Sequence, residues 1–139
     1  MRPESEFHTS ELNQYCHRLI KTIAPVCIIL HGSVARGTFA PGSDLDVLVI
    51  GQDLPHGFLE RIQVLLQLND THAPIEPLGY TTDEFVDMLQ KRHVTALDAL
   101  FFGIALYGGA YSRKVREMFD QMVERGLRRT ECIWTMSES

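Results

Sequence analysis

Glycine and serine at 32–33, ten intervening residues, and then an Asp44-x-Asp46 pair form the most chemically loaded stretch of this 139-residue chain. The apolar run Val26-Cys27-Ile28-Ile29-Leu30 precedes the Gly-Ser, and a second apolar run follows the aspartates. A buried strand ending at Gly32-Ser33 leaves backbone N–H groups open in the turn or short helix that follows, and such groups hold phosphate. Gly32 lets the backbone come close, and the Ser33 hydroxyl adds a donor. Aspartates two apart on one strand project from the same face. Side by side, they are the hard oxygen ligands that Mg²⁺ takes when it bridges protein and nucleotide phosphates. Arg36 is the nearest cation; it suits a triphosphate, or an ion pair with Asp44 or Asp46 in the absence of nucleotide. Ser43 suits an orienting role, capping a backbone N–H of the loop. A phosphate cradle beside a metal-binding pair implies nucleotidyl transfer, in which a hydroxyl attacks an α-phosphate and pyrophosphate leaves.

Holding these groups together requires a sheet. Leu12, Tyr15, Cys16, Leu19, Ile20 and Ile23 recur at helical spacing behind Thr9 or Ser10 as N-cap, with Pro25 as the stop. Strands are expected at 26–31 and 45–50, and a helix at about 56–68 with Phe58, Ile62, Leu65 and Leu66 on its apolar side. Residues 73–80 look extended, but Pro74 and Pro77 remove two ladder donors, which predicts an edge or irregular strand. Thr81 and Glu84 offer a capping box for a helix carrying Phe85, Met88 and Leu89. A short helix near 94–102, a fourth strand at 104–107 ended by Gly108-Gly109, and a last helix from Ser112 complete the pattern. The tail, 127–139, carries Trp134, which suggests packing, while Ser137 to Ser139 are expected to fray. The expected fold class is α/β (α+β): a mixed four-stranded sheet flanked by helices, in a single domain spanning 1–139.

The run GSVARGTFAPGSDLD, with Arg36-Gly37 behind the Gly-Ser and Ser43 just before the carboxylates, resembles the signature of the DNA polymerase β-like nucleotidyltransferases. It is similar in particular to the minimal nucleotidyltransferases of bacteria and archaea. A weaker likeness runs through IEPLGYTTDEF (75–85) and GIALYG (103–108). The resemblance implies that family's fold, a pair of Mg²⁺ ions, and a nucleoside triphosphate, ATP foremost, as substrate. It also implies a third acid on a later strand, and Glu76 is the acid within the third expected strand. Asp44, Asp46 and Glu76 are then the catalytic and metal-binding set, with Gly32, Ser33, Arg36 and Ser43 on the nucleotide. The plain alternative for Glu76 is a solvent-facing charge that blunts an exposed edge. Several minimal family members look like antitoxins paired with a helical HEPN-type ribonuclease toxin, whose tyrosine they adenylylate, so such a partner is implied here.

Composition narrows the remaining choices. Hydrophobic content of 45% and charged content of 22% are those of a soluble globular protein. No stretch has the apolar length of a membrane span, and MRPESEFHTS lacks the apolar core of a signal peptide. Three widely spaced cysteines without a CxxC pair fit reduced thiols in a cytoplasm, with Cys27 in the core. A net charge of −5 opposes general nucleic-acid binding. Locally, residues 111–130 hold six Arg or Lys against three acids, read as a solvated helix face or a docking face for an acidic partner or RNA. His31 reads as a core or rim histidine, Tyr80 as a sheet residue or a base-stacking one, and Lys91, Arg92 and His93 as complements to a helix C-terminus. Two other functions fit the same residues. One is a binding module that neutralises a helical partner by contact alone; the other is a homo-oligomer with facing sites acting on an aminoglycoside-type acceptor.

Overall fold

The computed structural model describes residues 8–37, 43–130 and 133–137. Helix α1 (Thr9–Ile23) leads into β1 (Cys27–His31), a short α2 (Gly32–Arg36) and β2 (Leu45–Ile50). Then come α3 (Phe58–Gln67), β3 (Ile75–Tyr80), α4 (Thr82–Gln90), α5 (Val94–Phe102), β4 (Ile104–Tyr107) and α6 (Gly109–Glu124). Strands β5 (Leu127–Arg129) and β6 (Trp134–Met136) close the chain as a separate hairpin.

The main sheet runs in the order β3-β2-β1-β4, with β2 and β3 parallel and the other pairs antiparallel. It is therefore mixed, as expected. The two apolar runs form its centre: every residue of β1 but His31 is buried, and so is every residue of β2 but Asp46. Each face carries a core. Ile28, Leu30, Leu45, Val47 and Val49 pack with α1 and Leu65 of α3. Cys27, Ile29, Leu48 and Ile50 pack with α4, α5 and α6. The proline-bearing β3 is indeed an edge strand, since its second side has no neighbour in the sheet.

Several local expectations change. Helix α1 is preceded not by a Thr or Ser cap but by His8 in the left-handed region, whose Nδ1 lies 3.0 Å from Glu11 Oε2. Asp44 falls one residue ahead of β2 rather than on it. Helix α6 starts at Gly109 instead of Ser112, and its N-cap Gly108, at φ +82°, sits against the Val26 backbone where a Cβ would collide. On α3 the buried residues are Arg61 and Leu65, while Phe58 and Leu66 are exposed. The buried Arg61 donates to the carbonyls of Pro55 and Gly79 and to the Glu84 carboxylate at 2.6 Å. Glu84 also closes the expected capping box with Thr81. In the tail, the Ser137 N–H donates to Gly126 O, so Ser137 is not frayed as expected; 131–132 and 138–139 lie outside the described residues.

Candidate active site

Strand β1 delivers its last residue, His31, to the junction where the chain turns into α2. Gly32 takes φ +75°, and a Cβ at that position would run into the Asp46 carboxylate. Glycine is needed there twice, for its backbone conformation and for the room it leaves an acid on the neighbouring strand. The N-cap residue of α2, His31, makes no side-chain bond to the helix's opening N–H groups, of which Ser33's is one.

Register gathers the other groups. Asp46 pairs with His31 on one side and with Glu76 on the other, so the three residues form one row across β1, β2 and β3. They stand on the face that carries Ile29, Leu48 and Leu78. Glu76, at the sheet edge, lies close enough to Asp44 for the two carboxyls to perturb each other's surroundings. Glu76 is pushed above the usual carboxylate range by lost solvation and by the neighbouring Asp44 and Asp46 carboxylates. Asp46 is raised as well: partial burial outweighs the attraction of His31, and Asp44 adds repulsion. His31 goes the other way, its pKa lowered by burial against the pull of Asp46 and Asp98, and its Nε2 has no hydrogen-bond partner.

Asp44, Asp46 and Glu76 line a single pocket of about 560 Å³ whose remaining wall includes Ile62, Leu66, Ile75 and Leu78. Among the described residues no three potential ligands are yet drawn together around one point as a metal would hold them. The donor set nevertheless suits a hard divalent cation: three carboxyls, two of them held above their ordinary pKa by crowding that a cation would relieve.

The proposed nucleotide residues divide. Gly32 and Ser33 abut Asp46 at the junction, and Ser43 directly precedes Asp44. Arg36, at the last turn of α2, pairs with neither aspartate; its guanidinium carbon lies 4.8 Å from the centre of the Phe102 ring. Tyr80 is at the far end of β3 from Glu76, beside Phe58 and a second cavity, so it does not join the carboxylates. Lys91 pairs with Asp87 and does not line the carboxylate pocket. Sequence reasoning passed over Phe102 and counted Arg129 only within the basic stretch 111–130; the Arg129 guanidinium also lies 4.8 Å from the Phe102 centre. No motif marks them, because only tertiary packing brings α5 and the terminal hairpin to α2.

Comparison with known proteins adds a family and a fold. A family model described as a nucleotidyltransferase domain matches residues 10–93, a span that holds every candidate site residue. No curated protein matches this sequence. Among solved structures, a crystal structure of a toxin-antitoxin with AMP-PNP matches at a TM-score of 0.54 and 20% identity, over 81% of this chain and 86% of that one. A mutant of the toxin-antitoxin MntA-HpeT matches at a TM-score of 0.54 and 19% identity, over 81% of this chain and 85% of that one. At these identities the likeness is one of fold.

Proposed function

This chain belongs to the nucleotidyltransferase domain family, and on that premise we propose that it moves AMP from ATP to a hydroxyl on a protein partner. The observation that carries the proposal is the meeting of Asp44 and Asp46, at the start of β2, with Glu76 of β3 in one pocket. Asp44, Asp46 and Glu76 hold the metal, taken as two Mg²⁺ ions. When bound, they supply charge neutralisation at the α-phosphate and the leaving oxygen. Gly32 and Ser33 cradle phosphate through the open N–H groups of the junction, Arg36 takes the triphosphate end, and Ser43 orients the loop. The acceptor oxygen forms a bond to the α-phosphorus as the bond to pyrophosphate breaks. Glu76, on the edge strand where an acceptor arrives, takes the hydroxyl proton.

The solved neighbours support the finer reading: both are toxin-antitoxin structures, and one contains AMP-PNP, an ATP analogue. On this reading the chain is an antitoxin, and the acceptor lies on a HEPN-type helical toxin. The buried, unpaired thiols of Cys16 and Cys27 agree with a reducing cytoplasm. Among the described residues no helix is long and apolar enough to cross a membrane.

The test is transfer of label from α-phosphate-labelled ATP, with Mg²⁺, into a host lysate, using wild type beside Asp44→Asn/Asp46→Asn. A labelled protein band seen only with wild type is expected. The absence of aspartate-dependent labelling from all four nucleotides would turn the reading toward a partner-binding module.

A further inference from the structure

Helix α3 carries apolar side chains on two sides, and the fold buries only one of them. Leu65 packs into the core, whereas Leu59 is 74% exposed, Leu66 46% and Phe58 42%. Spaced three and four residues apart through the half-buried Ile62, these exposed residues form one stripe along the solvent side of the helix. A surface helix ordinarily turns polar residues to water, and a contiguous apolar face left open marks a contact site.

Each end of the stripe opens into a cavity. Toward the C-terminal end of α3, Ile62 and Leu66 line the pocket that holds Asp44, Asp46 and Glu76. At its start, Phe58 lines the second cavity, of about 250 Å³, with Tyr80, Glu84 and Asp87. The Phe58 and Tyr80 rings lie 5.6 Å apart there, and aromatic rings beside carboxylates suit a Lys or Arg side chain. The charges around the face agree. Among the described residues the one Lys or Arg lining either cavity is Arg61, which is buried against Glu84. Lys91 meets Asp87 only as a surface pair between largely exposed groups, which another cation can replace. Loading the carboxylate pocket with Mg²⁺ and a nucleoside triphosphate keeps that end acidic, because the triphosphate's own charge offsets the metal. The face is thus apolar along its length and acidic at both ends.

We propose that this flank of α3 is the docking face for the acceptor protein, and that it takes an apolar segment whose Lys or Arg side chain enters the Phe58–Tyr80 cavity. The inference rests on the nucleotidyltransferase reading given above and adds the chemistry by which that site recognises its acceptor. The two cavities also set a spacing. Phe58 and Leu66 are separated by two turns of helix, about 12 Å. Glu76 and Tyr80 stand four residues apart on β3, about 13 Å. The acceptor's cation therefore lies about 12 Å from the hydroxyl that receives the nucleotide. A net charge of −5 favours the approach of such a basic segment.

The test takes the protein labelled from α-phosphate-labelled ATP in lysate, purifies it, and measures transfer to it by full-length wild type, Leu59→Ser and Asp87→Asn. Both positions are exposed and lie outside the carboxylate pocket. Leu59→Ser should raise KM for the acceptor by about tenfold with kcat unchanged, as expected when an apolar side chain no longer buries itself on a partner. Asp87→Asn should raise KM by about threefold at low salt, with the difference from wild type closing as NaCl is added. Calorimetric titration with MgATP should give wild-type affinity in both variants. Wild-type KM in both would overturn the inference. So would a loss of MgATP affinity as large as the loss of transfer, since the substitutions would then act on the nucleotide site. A wild-type dimer that Leu59→Ser dissociates in sedimentation would assign the face to a second copy of this chain and overturn it too. Wild type that labels no protein in an aspartate-dependent way would instead bring down the nucleotidyltransferase reading, and this inference with it.

Discussion

At the scale of single residues, the site is a balance between crowded acids and the backbone that admits them. Gly32→Ala places a methyl where the Asp46 carboxylate lies and strains a positive φ, so a loss of about 1–3 kcal/mol is expected together with loss of label transfer. Chemical denaturation and the transfer assay read the two effects. Glu76→Gln keeps the size of an exposed side chain but removes the proposed base. It should lower the transfer rate by roughly 10²–10⁴-fold with the melting temperature not reduced. Asp46 carries a pH signature. Its carboxyl is raised in the folded protein, so the fold holds its proton more tightly than the unfolded chain does. The resulting cost is absent below the ordinary carboxylate pKa and complete above the raised one. Asp46→Asn should therefore raise the melting temperature at neutral pH, with a gain that fades as pH falls through that window. Metal-free thermal melts across the acid range check this; a gain that persists in acid would contradict it.

At the scale of elements, the edge strand that presents Glu76 is braced from its other end. Arg61, buried on α3, ties Pro55, Gly79 of β3 and Glu84 of α4 into one polar knot. Arg61→Ala strands those acceptors and leaves a void, so a loss of about 2–4 kcal/mol is expected in urea unfolding, reduced by the partial exposure of Glu84. The pair is also acid-sensitive. Hydrogen bonding to Arg61 is the main cause that lowers Glu84, so its stabilisation is present above the unfolded pKa and drains as pH falls through the folded one. The periodicity of α3 had suggested Phe58, Ile62, Leu65 and Leu66 as the inward side. The helix lies against an edge strand, so its Phe58 and Leu66 flank extends past the sheet and only Arg61 and Leu65 face inward fully.

At the scale of the whole molecule, the terminal hairpin closes one face of the sheet. Trp134 sits edge-on to Phe101 at 5.4 Å and to Phe119 at 5.6 Å while its indole N–H donates to Asp98. As the sole tryptophan it is a local probe. Its fluorescence change in urea should coincide with loss of helical circular dichroism, since the hairpin packs on the α5–α6 core rather than standing alone. A separate, earlier fluorescence transition would show the hairpin to be only loosely attached. Trp134→Ala should cost about 2–3 kcal/mol, less than a fully buried aromatic because Trp134 keeps partial exposure.

Local pattern was enough for the order of the main-sheet strands' parent elements, the edge character of β3, the capping box and the Gly-Ser/Asp-x-Asp frame. Each depends on residues close in sequence: proline without a donor, a cap three residues from its partner, carboxylates two apart. Three things came from tertiary structure alone. Strand register put Glu76 beside Asp46, because a one-residue slip would have turned it to the other face. The buried Arg61–Glu84 pair and the hairpin's return to Phe102 join residues separated by 23 and 27 positions, where pairing depends on the path of the chain. No spacing rule reaches that far, since what brings such groups together is burial of the faces that carry them.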